Sequence, residues 1–167
     1  LNECRWDGDN GPEQTDLVST GNLIRAAPAS LKHFALCTSA GVERSGSFPF
    51  VILNLFGVLK YKKMAEETLK ASGLSHTIVR PSRLTDGPYT SYDLNTLLKA
   101  TSGKRHKVVV SRKDDLVGEA SRIATAEMLV QSLVTPQLQG ETLALSTVEG
   151  PGPGSDSDAW AKLVESL

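Results

Sequence analysis

The chain has 167 residues, with 18 lysines and arginines against 19 aspartates and glutamates, a net charge of -1. That length suits one domain, and near-neutrality argues against a nucleic-acid binder, which carries a clustered basic excess. A hydrophobic content of 40% with 22% charged residues supports a packed core rather than a disordered chain. The most apolar run, Phe48 to Leu59, is broken by Pro49, Asn54 and Gly57. It is shorter than the roughly 20 residues a spanning helix needs, so no transmembrane segment is expected. Cys4 and Cys37 belong to no CxxC pair and make no disulfide framework, so a reducing compartment is expected. The chain opens Leu1-Asn2-Glu3 without a basic n-region and apolar h-region, which reads as a processed start or a fragment.

Residues 1–12 are polar and turn-rich and read as an irregular lead-in. From Glu13 to Ala27, Leu17, Val18, Leu23 and Ile24 share a helical face, with Gly21 as its weak point. His33 to Thr38 is a short apolar run ending in small polar residues and Gly41, the pattern of a buried parallel strand. Leu53 to Ser72 carries Leu55, Val58, Leu59, Met64, Ala65 and Leu69 at helical spacing, with Gly73 as a C-cap glycine. His76 to Arg80 is a β-branched strand stopped by Pro81. A loop with Asp86-Gly87-Pro88 follows, then a short helix near Tyr92 to Ala100, a strand at Lys107 to Ser111 and a helix from Leu116 to Leu133. Thr142 to Thr147 makes a last strand, and a Gly/Pro linker leads to a helix at Asp156 to Glu165 capped by Ser155 or Asp156. Helices and strands alternate throughout, which implies parallel crossovers in one α/β layered unit over residues 1–167.

Open parallel sheets bind ligands beyond the carboxyl ends of their strands. Two loops stand there: Thr38-Ser39-Ala40-Gly41 and Pro81-Ser82-Arg83-Leu84, with Lys60, Lys62 and Lys63 on the helix between them. A hydroxyl at a strand end and a lysine on the next helix can orient a carbonyl and hold a polar cofactor. A turn-satisfying serine and a solvated lysine face give the same pattern. Arg80 and Arg83 allow two readings as well, contact with a phosphate or a salt bridge to Asp86 or Asp93. The helix also allows local ion pairs of Lys62 with Glu66 and Lys63 with Glu67. Lys104-Arg105-His106-Lys107 beside Asp114 and Asp115 reads as a solvated loop, and His33, His76 and His106 have no metal-ligand spacing.

Three segments together resemble the atypical short-chain dehydrogenase/reductase family. They are Cys37-Thr38-Ser39-Ala40-Gly41-Val42, then Leu59-Lys60-Tyr61-Lys62-Lys63-Met64-Ala65-Glu66-Glu67, and Ser72-Gly73-Leu74-Ser75-His76-Thr77-Ile78-Val79-Arg80-Pro81. The likeness is strongest to its plant, mostly chloroplast, NAD(P)-binding Rossmann-fold members. It implies a doubly wound parallel sheet, a nicotinamide dinucleotide, NADP or NAD, as ligand, and a chloroplast setting. By the same resemblance Ser39 hydrogen-bonds a substrate carbonyl, Lys62 holds the nicotinamide ribose, Thr38 joins the cofactor contacts, and Pro81, Ser82, Arg83 and Leu84 pack on the nicotinamide end. Phe34 to Cys37 form the floor beneath the ring.

The chain departs from the family pattern twice. The usual proton-donating tyrosine stands four residues before the lysine, where this chain has Val58; Tyr61, one residue before Lys62, is turned about 100° away on the helix. The family's Gly-rich turn opening a helix is not found before Arg5. Gly150-Pro151-Gly152-Pro153-Gly154-Ser155 lacks the N–H groups at its prolines that an anion site needs, and reads as a linker. The chain is therefore expected to be the C-terminal portion of a longer NAD(P)-binding protein, dependent on an N-terminal segment or a protein partner to cover its sheet. The functional expectation is an NADPH-dependent reductase of an unidentified small carbonyl or quinone-like substrate. The alternatives are a catalytically silent NAD(P)-binding scaffold and an incomplete, inactive fragment.

Overall fold

The computed structural model describes residue 8, residues 10–85 and residues 106–167. A π-helical segment, Glu13–Val18, runs directly into α1, Ser19–Ala26. Then come β1, Phe34–Cys37, a short α2, Phe50–Leu53, and α3, Val58–Ala71. They lead to β2, His76–Pro81, and a two-residue β3, Arg83–Leu84. The second half holds β4, Lys107–Ser111, β5, Glu119–Ala120, α4, Arg122–Gln131, β6, Thr142–Val148, and α5, Ser157–Glu165. The lead-in at residues 1–7 and 9, the Asp86-Gly87-Pro88-Tyr89 loop and the helix read at Tyr92 to Ala100 lie outside the described residues.

The main sheet has the order β1-β2-β6-β4, with β1, β2 and β6 parallel and β4 antiparallel to β6. β3 and β5 form a separate parallel pair. Side chains on alternate residues of the central strands serve opposite faces. Val79, Leu143 and Leu145 pack with Met128 of α4 and with Trp160 and Val164 of α5. Ile78 faces the other way, onto Ile24 of α1 and Leu69 of α3. Helices thus cover both faces, as the resemblance implies for a doubly wound sheet.

Four boundaries or directions differ from the sequence reading, each for a local reason. The helix read from Leu53 is interrupted: Gly57 is left-handed at φ 76°, and Asn54 Oδ1 accepts from Lys60 N at 3.1 Å, so α3 starts at Val58. The helix read from Leu116 starts at Arg122, because Glu119–Ala120 first pairs with β3 and Ser121 then caps α4 through Ala124 N. Pro81 belongs to β2 rather than stopping it, since its carbonyl still accepts from Ala40 N at 2.9 Å. β4 runs antiparallel, because alternation of elements along the chain gives connectivity and not strand direction. β1 is half-buried, with Cys37 exposed at its end, as befits a strand with a partner on one side only among the described residues.

Candidate functional site

The carboxyl ends of β1 and β2 lie side by side, and their following loops are tied to the sheet. Thr38 N donates to Val79 O at 2.9 Å, Ala40 N to Pro81 O at 2.9 Å, and Ser82 N to Leu145 O at 2.8 Å. Beyond Ala40 the chain turns at Gly41, left-handed at φ 93°, where a β-carbon would lie 2.1 Å from Cδ1 of Phe50. Only glycine fits that conformation and that approach. The buried Asp114 carboxylate then accepts from Gly41 N and Glu43 N, both at 2.8 Å. Sequence reading placed Asp114 beside a solvated basic loop; its contact with a turn 73 residues away leaves no local signal.

Beneath the first loop sits a buried ion pair. Arg80 and Glu66 are 4% and 1% exposed, and the guanidinium meets the carboxylate through Nε at 3.0 and 3.2 Å and through Nη2 at 2.5 Å. Thr38 Oγ1 donates to Glu66 Oε1 at 2.6 Å, which fixes the end of β1 to α3. Arg80 Nη2 also reaches Glu43 at 2.9 Å, and Glu43 takes Lys63 at 2.7 Å. Burial opposes the Arg80 charge, yet Glu66 and Glu43 outweigh it and hold its pKa above the ordinary value. The Lys63 hydrogen bond, opposed by burial and aided by Arg80, holds the Glu43 carboxyl below its ordinary range. Of the two readings of Arg80, the structure shows a salt bridge, to Glu66 and Glu43. Asp86 and Asp93 lie outside the described residues.

Above this base opens a cleft of about 820 Å³, within the range of small-molecule sites. Thr38, Ser39, Pro81, Ser82, Arg83 and Leu84, six of the seven residues singled out in sequence, line it. Its other walls were not foreseen: Arg44 and the apolar Phe48, Pro49, Phe50 and Leu53 on one side, Val117, Gly118 and Arg122 on the other. The apolar wall is the interrupted run noted in the sequence, whose Phe48 is 80% exposed. Ser39 Oγ makes only a local bond, to Ala40 O at 3.0 Å. Ser82 is buried and its hydroxyl has no hydrogen-bond partner among the described residues. Buried hydroxyls are ordinarily paired.

Lys62 does not line the cleft. Its ammonium pairs with Asp16 of the π-helical segment at 2.6 Å, and Lys63 pairs with Glu43, so neither makes the i to i+4 pair expected from spacing. Burial raises the Cys37 thiol pKa, with the Lys62 charge opposing that shift. Val58 opens α3 four residues before Lys62. Tyr61 donates its hydroxyl to Glu13 at 2.9 Å, away from the cleft, and that bond raises its pKa, the reverse of an acidified phenol. At the carboxyl end of β6, within the 150–155 segment, Gly154 O accepts from Trp160 Nε1 at 2.8 Å. Asp156 caps α5 through Asp158 N and Ala159 N.

The family model for NAD(P)H-binding proteins matches residues 7–136. The chain is 40% identical over 122 residues to the chloroplastic protein TIC 62 of Oryza sativa subsp. japonica, covering 71% of this chain and 22% of that protein. It is 29% identical over 159 residues to sanguinarine reductase of Eschscholzia californica, covering 90% of this chain and 52% of the relative. The chain thus spans about a fifth of the first relative and half of the second. Among solved structures, an oxidoreductase from Lactococcus lactis superposes with a TM-score of 0.68 at 18% identity, covering 97% of this chain and 64% of that one. A wide-type short-chain dehydrogenase/reductase from Veillonella parvula in complex with NADP gives 0.56 at 17% identity, covering 83% and 61%. The fold is Rossmann-like, and the chain belongs to the NAD(P)H-binding family.

Proposed function

We propose that this member of the NAD(P)H-binding family holds the nicotinamide end of NADP(H) in the cleft beyond β1 and β2 and reduces a small carbonyl or quinone-like substrate there. The observation that carries the reading is the convergence of Thr38, Ser39, Pro81, Ser82, Arg83 and Leu84, picked from separate segments of sequence, on one cleft. Ser82 and the Thr38 backbone meet the cofactor's polar groups, Pro81 and Leu84 pack on its ring, and Arg83 stands at the mouth. A bound nicotinamide supplies the hydride. Ser39 exchanges its local bond for the substrate carbonyl oxygen, orients it and passes it the proton that balances the hydride, and water returns a proton to the serine. Lys62 acts through Asp16, steadying the π-helical segment against α3. In this reading residues 1–167 form one unit of a longer chloroplast protein, in keeping with the chloroplastic setting of the rice relative.

A specific observation favours a second reading, a silent NAD(P)-binding scaffold. Val58 stands at the tyrosine position, Tyr61 is turned to Glu13 and Lys62 to Asp16, so among the described residues no phenol–ammonium pair faces the cleft. Calorimetric titration with NADPH and NADH, beside NADPH consumption with a panel of quinones and aldehydes, separates the two. A reductase binds NADPH and consumes it only with an acceptor, and Ser39→Ala lowers that turnover by about 10²-fold with binding retained. Binding without turnover identifies the scaffold, and binding of neither nucleotide refutes both.

A further inference from the structure

The charge of the cleft wall is one-sided. Arg44, Arg83 and Arg122 line it, and among the described residues none that line it is acidic. Arg44 is held from two sides. Its guanidinium stacks over the Phe50 ring at 4.3 Å, and its Nη2 donates to Leu116 O at 3.0 Å. Its Nη2 also forms a salt bridge at 3.6 Å with the buried Asp114 carboxylate, which itself accepts from Gly41 N and Glu43 N. The Nε of Arg44 is buried without a hydrogen-bond partner among the described residues, while the side chain as a whole is 28% exposed. The exposed part of a planar donor fork, held flat by an aromatic ring, suits a carboxylate or phosphate oxygen. Beside it, Phe48, Pro49 and Leu53 offer an apolar wall that a simple inorganic anion would leave wet.

We infer that the second ligand of this cleft is an organic acid with a flat apolar body, its anionic head held by Arg44 with Arg83 and its body laid against Phe48, Pro49 and Leu53. The inference rests on the reading of the cleft as a ligand site and names the substrate class for it. It differs from a role for the arginines in holding a cofactor phosphate, because an acid substrate binds beside the nucleotide whereas a phosphate contact excludes it.

Trans-cinnamate and its neutral isostere cinnamamide are suitable probes, titrated by calorimetry into the whole chain with and without saturating NADPH. Cinnamate is expected to bind about tenfold or more tighter than cinnamamide, the range of a hydrogen bond to a charged group. That preference is expected to persist with NADPH present and to fall to within about threefold in Arg44→Met, which keeps an apolar body over Phe50. Arg83→Gln, at an exposed position, is expected to reduce it as well, and supplies the test should Arg44→Met lose its circular dichroism. No preference in the parent protein, an unchanged preference in both folded variants, or displacement of cinnamate by NADPH overturns the inference. NADPH binding without a cinnamate preference refutes this inference alone. A cinnamate preference without NADPH binding refutes the cofactor reading and leaves the anion site standing.

Discussion

Replacing Arg80 by leucine strands the Glu66 carboxylate, which is 1% exposed and, among the described residues, keeps only the Thr38 hydroxyl as a donor at 2.6 Å. Breaking a buried pair from one side costs about 3–5 kcal/mol, a large share of the roughly 5–15 kcal/mol that holds a domain together. The converse change, Glu66→Leu, leaves Arg80 with Glu43 at 2.9 Å on its solvent side, so it costs less. Removing both charges together leaves no stranded ion, and the double variant is expected within about 2 kcal/mol of the parent, less than the Arg80→Leu loss alone. Urea unfolding of the four proteins measures this as a shift in midpoint at constant slope. An Arg80→Leu loss below about 1 kcal/mol, or a double variant that loses the sum of the two singles, would refute the assignment of this pair as a coupled buried unit.

Gly41→Ala meets both a left-handed backbone and the Phe50 ring, so it is expected to cost about 1–3 kcal/mol and to weaken NADPH binding, measured by melting and calorimetry. Ser82→Ala removes an unpaired buried hydroxyl and is expected to leave stability unchanged or raise it by up to about 1 kcal/mol while NADPH affinity falls; a loss of stability would show that the hydroxyl is satisfied within the fold. His33 is buried between Ser75 Oγ at 2.9 Å and Thr77 Oγ1 at 3.0 Å, and burial, with His76 adding to it, holds its pKa below the ordinary value. The unfolded chain then binds the extra proton, so stability is full above the ordinary histidine range of about 6.5 and falls as pH drops through it. His33→Gln is expected to flatten that slope in urea midpoints taken across the range, and an unchanged slope would remove His33 as its source.

The strand ends of this site were legible in sequence because an apolar run that gives way to Thr38-Ser39 or Pro81-Ser82 is a local pattern. What those ends rest on was not. Glu66 looked like the i+4 partner of Lys62, but the helix turns it inward to Arg80 on the neighbouring strand, and Lys62 is left for Asp16. Helical spacing orders side chains around an axis and says nothing of which face meets the sheet. The apolar segment Phe48 to Leu59 was read as an interrupted run, with a helix starting within it at Leu53. Its place as a cleft wall depends on Gly41, Gly57 and the Asp114 clamp acting together. The antiparallel direction of β4 follows from its pairing with β6, set by contacts far apart in the chain.

In the proposed function a nicotinamide dinucleotide sits at the carboxyl ends of β1 and β2. Amide hydrogen exchange of the protein with and without saturating NADPH tests it directly. Slower exchange is expected at Thr38 to Gly41 and at Ser82 to Leu84. NADPH protection confined to other segments, such as the 150–155 turn and α5, or no protection at either loop, would contradict it.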